Sequence, residues 1–198
     1  MSRKVFVSFR YCDGHKYKEM LDRIFDESTK IINCSEDVNR SQLSEDSIKR
    51  YLYNKLSNTS VTVIIITPEA VRYQKNICTG TYDDWIYDEV RYSLDDRVEN
   101  RTNGLVAVYT EEAKPLLMNV EPNGRKTIKR FDNLVYENMM NVKPEYKINK
   151  EDGVFDSHWD SYCSLVPWND FISNYGKYID EAAQKRDIIN HYKITKRM

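Results

Sequence analysis

The chain has 198 residues, 40% of them hydrophobic and 31% charged, which suits one generous domain, or one domain with an insertion, and argues against global disorder. Thirty Lys and Arg stand against 31 Asp and Glu, for a formal charge of -1, so there is no electrostatic footprint for nucleic acid or an anionic membrane. The longest apolar run, residues 61–66 (VTVIII), is too short to cross a bilayer, and the N-terminal apolar stretch is too brief for a signal-peptide core. A soluble, cytoplasmic protein is expected.

Residues 4–9 (KVFVSF) read as a buried strand, with Asp13-Gly14 as its stop. Tyr17, Met20, Leu21, Ile24 and Phe25 follow at i, i+3, i+4, i+7 and i+8, one apolar stripe of a helix lying on a sheet. Residues 31–34 suggest a second, shorter strand, and residues 35–42 a polar loop. Ser44 is a candidate N-cap for a helix using Ile48, Tyr51, Leu52 and Leu56. Residues 61–67 form the clearest strand. Their unbroken β-branched character predicts burial on both faces, and Pro68 ends the run.

A loop over residues 69–81 leads to a helix near 83–97. Residues 104–110 (GLVAVYT) and 161–166 are further strand candidates, the second halted by Pro167. Asn169 or Asp170 then caps a helix using Phe171, Tyr175, Tyr178, Ile179 and Ala182. Strands alternating with amphipathic helices predict a doubly wound α/β sheet. Between residues 111 and 160 the alternation fails. Pro115, Pro122, Gly124, Pro144 and Gly153 break a polar stretch with one apolar patch at 131–140, which reads as an insertion or an elaborated connection.

Cys12, Cys34, Cys78 and Cys163 show no paired spacing, and His15, His158 and His191 no chelating offset, so neither a disulfide framework nor a metal site is expected. No glycine pattern of the dinucleotide or P-loop kind is present. In an open parallel sheet, ligands bind beyond the carboxyl ends of the strands. The loop after the first strand offers Ser8, Arg10, Tyr11 and Asp13, either as ordinary solvated groups or as partners for an anion. On the helix opening with residues 85–89 (WIYDE), Ile86, Val90 and Leu94 form the buried stripe. At about 100° per residue, Glu89 lies on the flank of that stripe, below Trp85. A carboxylate there is partly desolvated. It is either a rim glutamate paired with a base such as Arg91 or a functional group.

KVFVSFRYCD at residues 4–13, SVTVIIIT at 60–67 and WIYDE at 85–89 together resemble the TIR domain family, within it the bacterial TIR-like group that includes the Thoeris antiphage protein ThsB. The resemblance covers about the first 110 residues. SLVPWNDFISNYGKYI near the end also suits that group, and residues 111–160 match only loosely. It implies a flavodoxin-like, mainly parallel five-stranded sheet of order 2-1-3-4-5 in a single TIR-like domain over residues 1–198. It also implies cleavage of NAD, as substrate and not as cofactor, at the nicotinamide–ribose bond, with cyclisation to a cyclic ADP-ribose isomer as an antiphage signal. Glu89 falls on the catalytic glutamate and Trp85 on the motif tryptophan, while Ser8, Phe9, Arg10, Tyr11 and Asp13 fall in the loop lining the nucleotide pocket. Residues 35–46 correspond to a mobile loop that governs assembly. Implied partners are further copies of the chain, an effector reached through the nucleotide signal and a phage-derived activator.

Two other readings share this architecture. A non-enzymatic TIR module, working by homotypic contacts, needs no carboxylate in a pocket. A nucleoside deoxyribosyltransferase-like enzyme also sets a glutamate on a glycosidic bond. A phosphoacceptor receiver is set aside, because it needs an aspartate at the end of the third strand, where Thr67-Pro68-Glu69 stand.

Overall fold

The computed structural model describes residues 2–35, 45–72, 85–96, 101–131 and 133–198. Five strands form one sheet: β1 (Arg3–Ser8), β2 (Ile31–Asn33), β3 (Val61–Ile66), β4 (Gly104–Tyr109) and, after a long connection, β7 (Cys163–Pro167). Their order is β2-β1-β3-β4-β7 and every pairing is parallel. This is the flavodoxin-like doubly wound arrangement, with β3 at its centre as its sequence requires. All six residues of β3 are buried.

Alternation along the strands sends side chains to two helical layers. Val5, Val7, Val63, Ile65, Val106 and Val108 face α1 (Tyr11–Asp26) and α7 (Trp168–Asp187), meeting Leu21 and Phe25 from the first and Phe171 and Ile179 from the second. On the opposite face Phe6 meets Leu52 and Leu56 of α2 (Glu45–Ser57). Ile64, Ile66, Leu105 and Ala107 there meet Ile86, Val90 and Leu94 of α4 (Trp85–Leu94), which follows the short α3 (Pro68–Arg72). Gly104 is required where α7 crosses β4, since a Cβ there would lie 2.0 Å from the Ala182 carbonyl oxygen.

Several boundaries differ from the sequence reading. Asp13 and Gly14 do not stop the first strand; they lie in the opening turns of α1, where Gly14 lets the helix rest on the Phe9 side chain. Met20 is exposed, and the buried stripe of α1 runs through Gly14, Lys18, Leu21 and Phe25. Lys18 reaches the position by extending its stem to Asp22, 2.6 Å away. Pro68 begins a short helix where a loop was expected. Helix α7 starts at Trp168 with Pro167 at the N-cap and no side-chain cap, so neither Asn169 nor Asp170 caps it. The expected Ser44 cap lies outside the described residues.

Residues 111–160 stay out of the main sheet. They supply α5 (Lys114–Leu117), a hairpin of β5 (Met118–Val120) and β6 (Lys126–Ile128), and α6 (Leu134–Glu137), whose Asn133 side chain caps it through the Val135 N–H at 2.9 Å. Leu117, Phe131, Leu134, Val135 and Met139 extend the α4-side core. The C-terminal segment closes over them: Asn138 bonds the Thr195 backbone through both its amide nitrogen and oxygen. Asp160, fully buried, is satisfied by the N–H groups of Ile148 and Asp156, each at 2.7 Å. No helix among the described residues is long and apolar enough to cross a membrane.

Lys185 of α7 joins this connection to β7 by donating to the Ser161 carbonyl at 2.7 Å and to the Ser164 hydroxyl. Burial pulls its ammonium from the ordinary 10.5 down to about 8. Between those two pH values the unfolded chain holds a proton that the folded chain has released, so this group's contribution to stability rises with pH across that window. The stability of wild type minus that of Lys185→Met should therefore climb from pH 8 to 10, by up to about 1 kcal/mol per pH unit, in urea denaturation. Cys163 and Tyr162 titrate in both proteins and largely cancel. A flat difference would mean that Lys185 stays charged in the fold.

Candidate functional site

The carboxyl edge of the sheet gathers the candidates from β1 and β3. Ser8 ends β1, fully buried, and its hydroxyl has no hydrogen-bond partner among the described residues. Phe9 and Arg10 are half-buried, and Arg10 donates from Nη1 to the Glu69 carbonyl at 3.3 Å. Asp13, in the first turn of α1, accepts from Thr67 Oγ1 at 2.7 Å and from the Glu69 N–H at 3.1 Å. The loop after β1 is thus tied through both charged residues to the segment after β3. Tyr11 is exposed and packs edge-on against His15, with ring centroids 4.9 Å apart.

Glu89 comes to this edge from α4. The helix runs antiparallel to β3, because its C-terminal end meets the chain entering β4: the Asn103 N–H donates to the Ser93 carbonyl at 2.7 Å. Ser93 Oγ lies 2.7 Å from Thr62 Oγ1 and also bonds the Glu89 carbonyl at 2.7 Å. Asn103 Nδ2 completes the chain of contacts by donating to Thr59 Oγ1 and Thr62 Oγ1. This buried polar seam fixes α4 lengthwise on the sheet. From Ser93 back to Glu89 is one helical turn, about 6 Å toward the carboxyl edge. Two residues along β3 cover nearly the same distance, from Thr62 to Ile64. Ile64 is the register partner of Ser8.

Glu89 and Ser8 therefore share one face of the sheet at one level. Glu89 is only 8% exposed, deeper than the rim position its helical phase suggested. Trp85 opens α4, but its side chain lies outside the described residues, as do residues 36–44 of the loop expected to govern assembly. The described residues place Arg10 and Asp13 together with Thr67 and Glu69.

Thr67 went unnoticed in the sequence. Its signal was modest: a hydroxyl immediately after the central strand, at the edge where such sheets bind ligands. No group of three or more potential metal ligands occurs among the described residues.

A parallel five-stranded sheet of order β2-β1-β3-β4-β7, wound with helices on both faces, defines a flavodoxin-like α/β protein. Residues 6–115 match the family described as Thoeris protein ThsB, TIR-like domain. The match spans more than half of the chain, and the chain belongs to that family. Among solved structures, the TIR domains of the activated Roq1 resistosome, which directly recognises the pathogen effector XopQ, share 17% identity with a TM-score of 0.32. That alignment covers 62% of this chain and 61% of the Roq1 chain, so the protein spans about three fifths of that chain's length.

The Asp13 bridge should be measurable as stability. Asp13→Ala removes a carboxylate from two donors, and bonds to charged groups contribute about 1.5–3 kcal/mol. With partial exposure taken into account, the loss should be about 1–2 kcal/mol in urea unfolding. Loss below a few tenths of a kcal/mol would show the bridge to be incidental.

Proposed function

We propose that the protein cleaves NAD at the nicotinamide–ribose bond and closes the product into a cyclic ADP-ribose isomer that serves as a signal in antiphage defence. The observation that carries this reading is that Glu89 and Ser8, by strand register and helical rise, stand on one sheet face at one level, in a chain of the ThsB TIR-like family. The working unit is a single TIR-like domain over residues 1–198, with 111–160 as its elaboration.

The chemistry follows from the residues. As the glycosidic bond breaks, its electron pair leaves with nicotinamide, which departs neutral and needs no general acid. Positive charge develops on the ribose, as in glycosidase transition states. Glu89, held in a water-poor position, stabilises that charge and holds a ribose hydroxyl. Ser8 offers a second hydrogen bond at the same level. Phe9, Arg10 and Asp13, with Tyr11 and Trp85, form the remaining nucleotide contacts, Arg10 facing the pyrophosphate. Capture by a nucleophile of the same molecule, an adenine nitrogen or a ribose hydroxyl, closes the ring and releases that nucleophile's proton where it carries one. Exclusion of water favours this over hydrolysis. No metal or bound cofactor takes part. Assembly through copies of the chain, a phage-derived activator and an effector that reads the nucleotide complete the scheme in the cytoplasm.

Glu89→Gln keeps the volume and removes the charge. NAD consumption, followed by mass spectrometry of the products, should fall at least 10²–10³-fold, the typical cost of losing one preorganised electrostatic contact. The melting temperature should stay near wild type. A folded variant that consumes NAD at the wild-type rate would end the catalytic assignment.

Ser8→Ala separates function from stability in the opposite sense. A buried hydroxyl without a partner destabilises the fold, so its removal should leave the melting temperature equal or higher. If the hydroxyl bonds substrate, kcat/KM for NAD should nevertheless drop about tenfold, the worth of one neutral hydrogen bond. Unchanged kcat/KM would remove Ser8 from the site.

A further inference from the structure

A cavity of about 870 Å³ follows the outer edge of β7. Leu165 and Pro167 of β7 form one wall, and Lys126 and Ile128 of β6 form the other. Strand β7 is the last of the five-stranded sheet and β6 belongs to a two-stranded one, so among the described residues each has an edge with no neighbouring strand.

Alternation decides which backbone groups these edges present. The Cys163 N–H donates outward to the Asn138 carbonyl at 2.9 Å, so Leu165, two residues on, also turns its N–H and C=O outward. In the hairpin, the Glu121 N–H bonds the Arg125 carbonyl and the Lys129 N–H bonds the Leu117 carbonyl. The odd-numbered residues of β6 therefore face β5, and Lys126 and Ile128 turn their amides and carbonyls away from it. No described residue outside the ladders bonds the backbone of Leu165, Lys126 or Ile128. The groove is thus bordered by two open strand edges.

Its remaining surface is shaped for side chains. Met118, Met139, Met140 and Phe155 supply apolar, adaptable walls. Tyr109, 2% exposed, lines the groove with a hydroxyl that bonds to no described residue. Arg125 and Lys126 are exposed at the rim and form no ion pair with a described residue. On β7 the free outward amide is that of Leu165, since the Cys163 N–H is bonded to Asn138 and Pro167 has none, while Lys126 and Ile128 repeat at two-residue spacing on β6. A small ligand would satisfy single donors, but backbone groups on two facing strand edges match a polypeptide backbone.

We propose that this groove binds an extended peptide segment of a partner protein, its backbone pairing with the edges of β7 and β6. Its apolar side chains enter the methionine-lined wall, and an acidic side chain meets Arg125 and Lys126. This is recognition by strand addition, in which backbone bonds give affinity and alternate side chains give specificity. It is independent of the Glu89 site.

The test uses the full chain and an array of octapeptides alternating Val, Ile, Leu or Phe with Glu. Matched arrays carry Lys in place of Glu, or N-methyl groups on every second backbone amide. The glutamate peptides should bind at least tenfold better than the lysine ones, and N-methylation should abolish binding. Amide exchange at Leu165, Lys126 and Ile128 should slow at least tenfold in the complex. Arg125→Glu combined with Lys126→Glu should invert the charge preference while leaving peptide-free NAD turnover unchanged. Binding that survives N-methylation, protection confined to other amides, or no binding by either charge series overturns the proposal. So does protection of the same three amides by ADP-ribose, or by raising the concentration of the protein alone, which would assign the groove to a small molecule or to a second copy.

Discussion

Everything in this molecule hangs on β3 having no solvent face. Val61, Val63 and Ile65 need one apolar layer, and Ile64 and Ile66 need another on the opposite side. At about 1.5–3 kcal/mol for each fully buried aliphatic side chain, leaving either face open would forfeit a stabilisation comparable to the whole net stability of a domain. Helices must therefore cover both faces, and parallel strands joined by right-handed crossovers provide them. The polar edge follows from the same constraint. With both faces covered, the places where backbone and side chains can still meet a ligand are the loops beyond the carboxyl ends of the strands, where Ser8, Arg10, Asp13 and Thr67 stand.

The second layer of organisation is polar. Buried Thr62, Ser93 and Asn103 bond to one another between α4 and the sheet, and Tyr162 adds its hydroxyl to the Asn103 carbonyl at 2.8 Å. Apolar packing alone tolerates sliding of a helix along a sheet, because it is non-directional. Directional bonds to fixed hydroxyls do not. The seam sets the level of α4, and with it the depth of Glu89. Much the same division of labour holds at the other end of the sheet. Lys185 and Asp160 satisfy backbone groups of residues 148–161, so a connection with little regular structure is held by buried polar side chains.

Much of this was legible from the chain alone, for a physical reason. Runs such as VTVIII and GLVAVY have a single good solution, a strand buried on both faces, and the i, i+4, i+8 spacing of Ile86, Val90 and Leu94 marks the helix face. What failed was local. Asp13-Gly14 looks like a turn by its residue types, yet tertiary packing of Gly14 on Phe9 makes it helical. Met20 looked buried and is exposed, while Lys18 takes a buried position because an aspartate one turn away lets it bury its stem. The Asp13–Thr67 bond was hidden because its partners lie 54 positions apart, at the ends of two separate motifs that no local pattern links. Residues 111–160 were legible only as an interruption, since their order rests on long-range bonds to the C-terminal segment that no local pattern announces.

The buried polar groups sort themselves by what the fold does with them. Asn103, Asp160 and Lys185 are surrounded by protein partners, and each contributes to holding an element in place. Ser8 is as deeply buried and has none among the described residues. Folding gains nothing from such a hydroxyl, because desolvating it costs about 1–3 kcal/mol without return. Alanine would fill the space with less strain on stability. A polar group without a partner among the described residues, at the end of the strand beside the centre and level with Glu89, is what the proposed substrate contact would use. The same logic separates the two surfaces of the sheet edge. On the β1 and β3 side the polar groups are side chains, those of Ser8, Arg10, Asp13 and Thr67, suited to a compact ligand with a few oxygens. On the β7 side they are backbone groups of two strand edges, Leu165 on one and Lys126 and Ile128 on the other, suited to another chain. Whatever occupies each, the chemistry of the vacant partners differs, and one ligand cannot serve both.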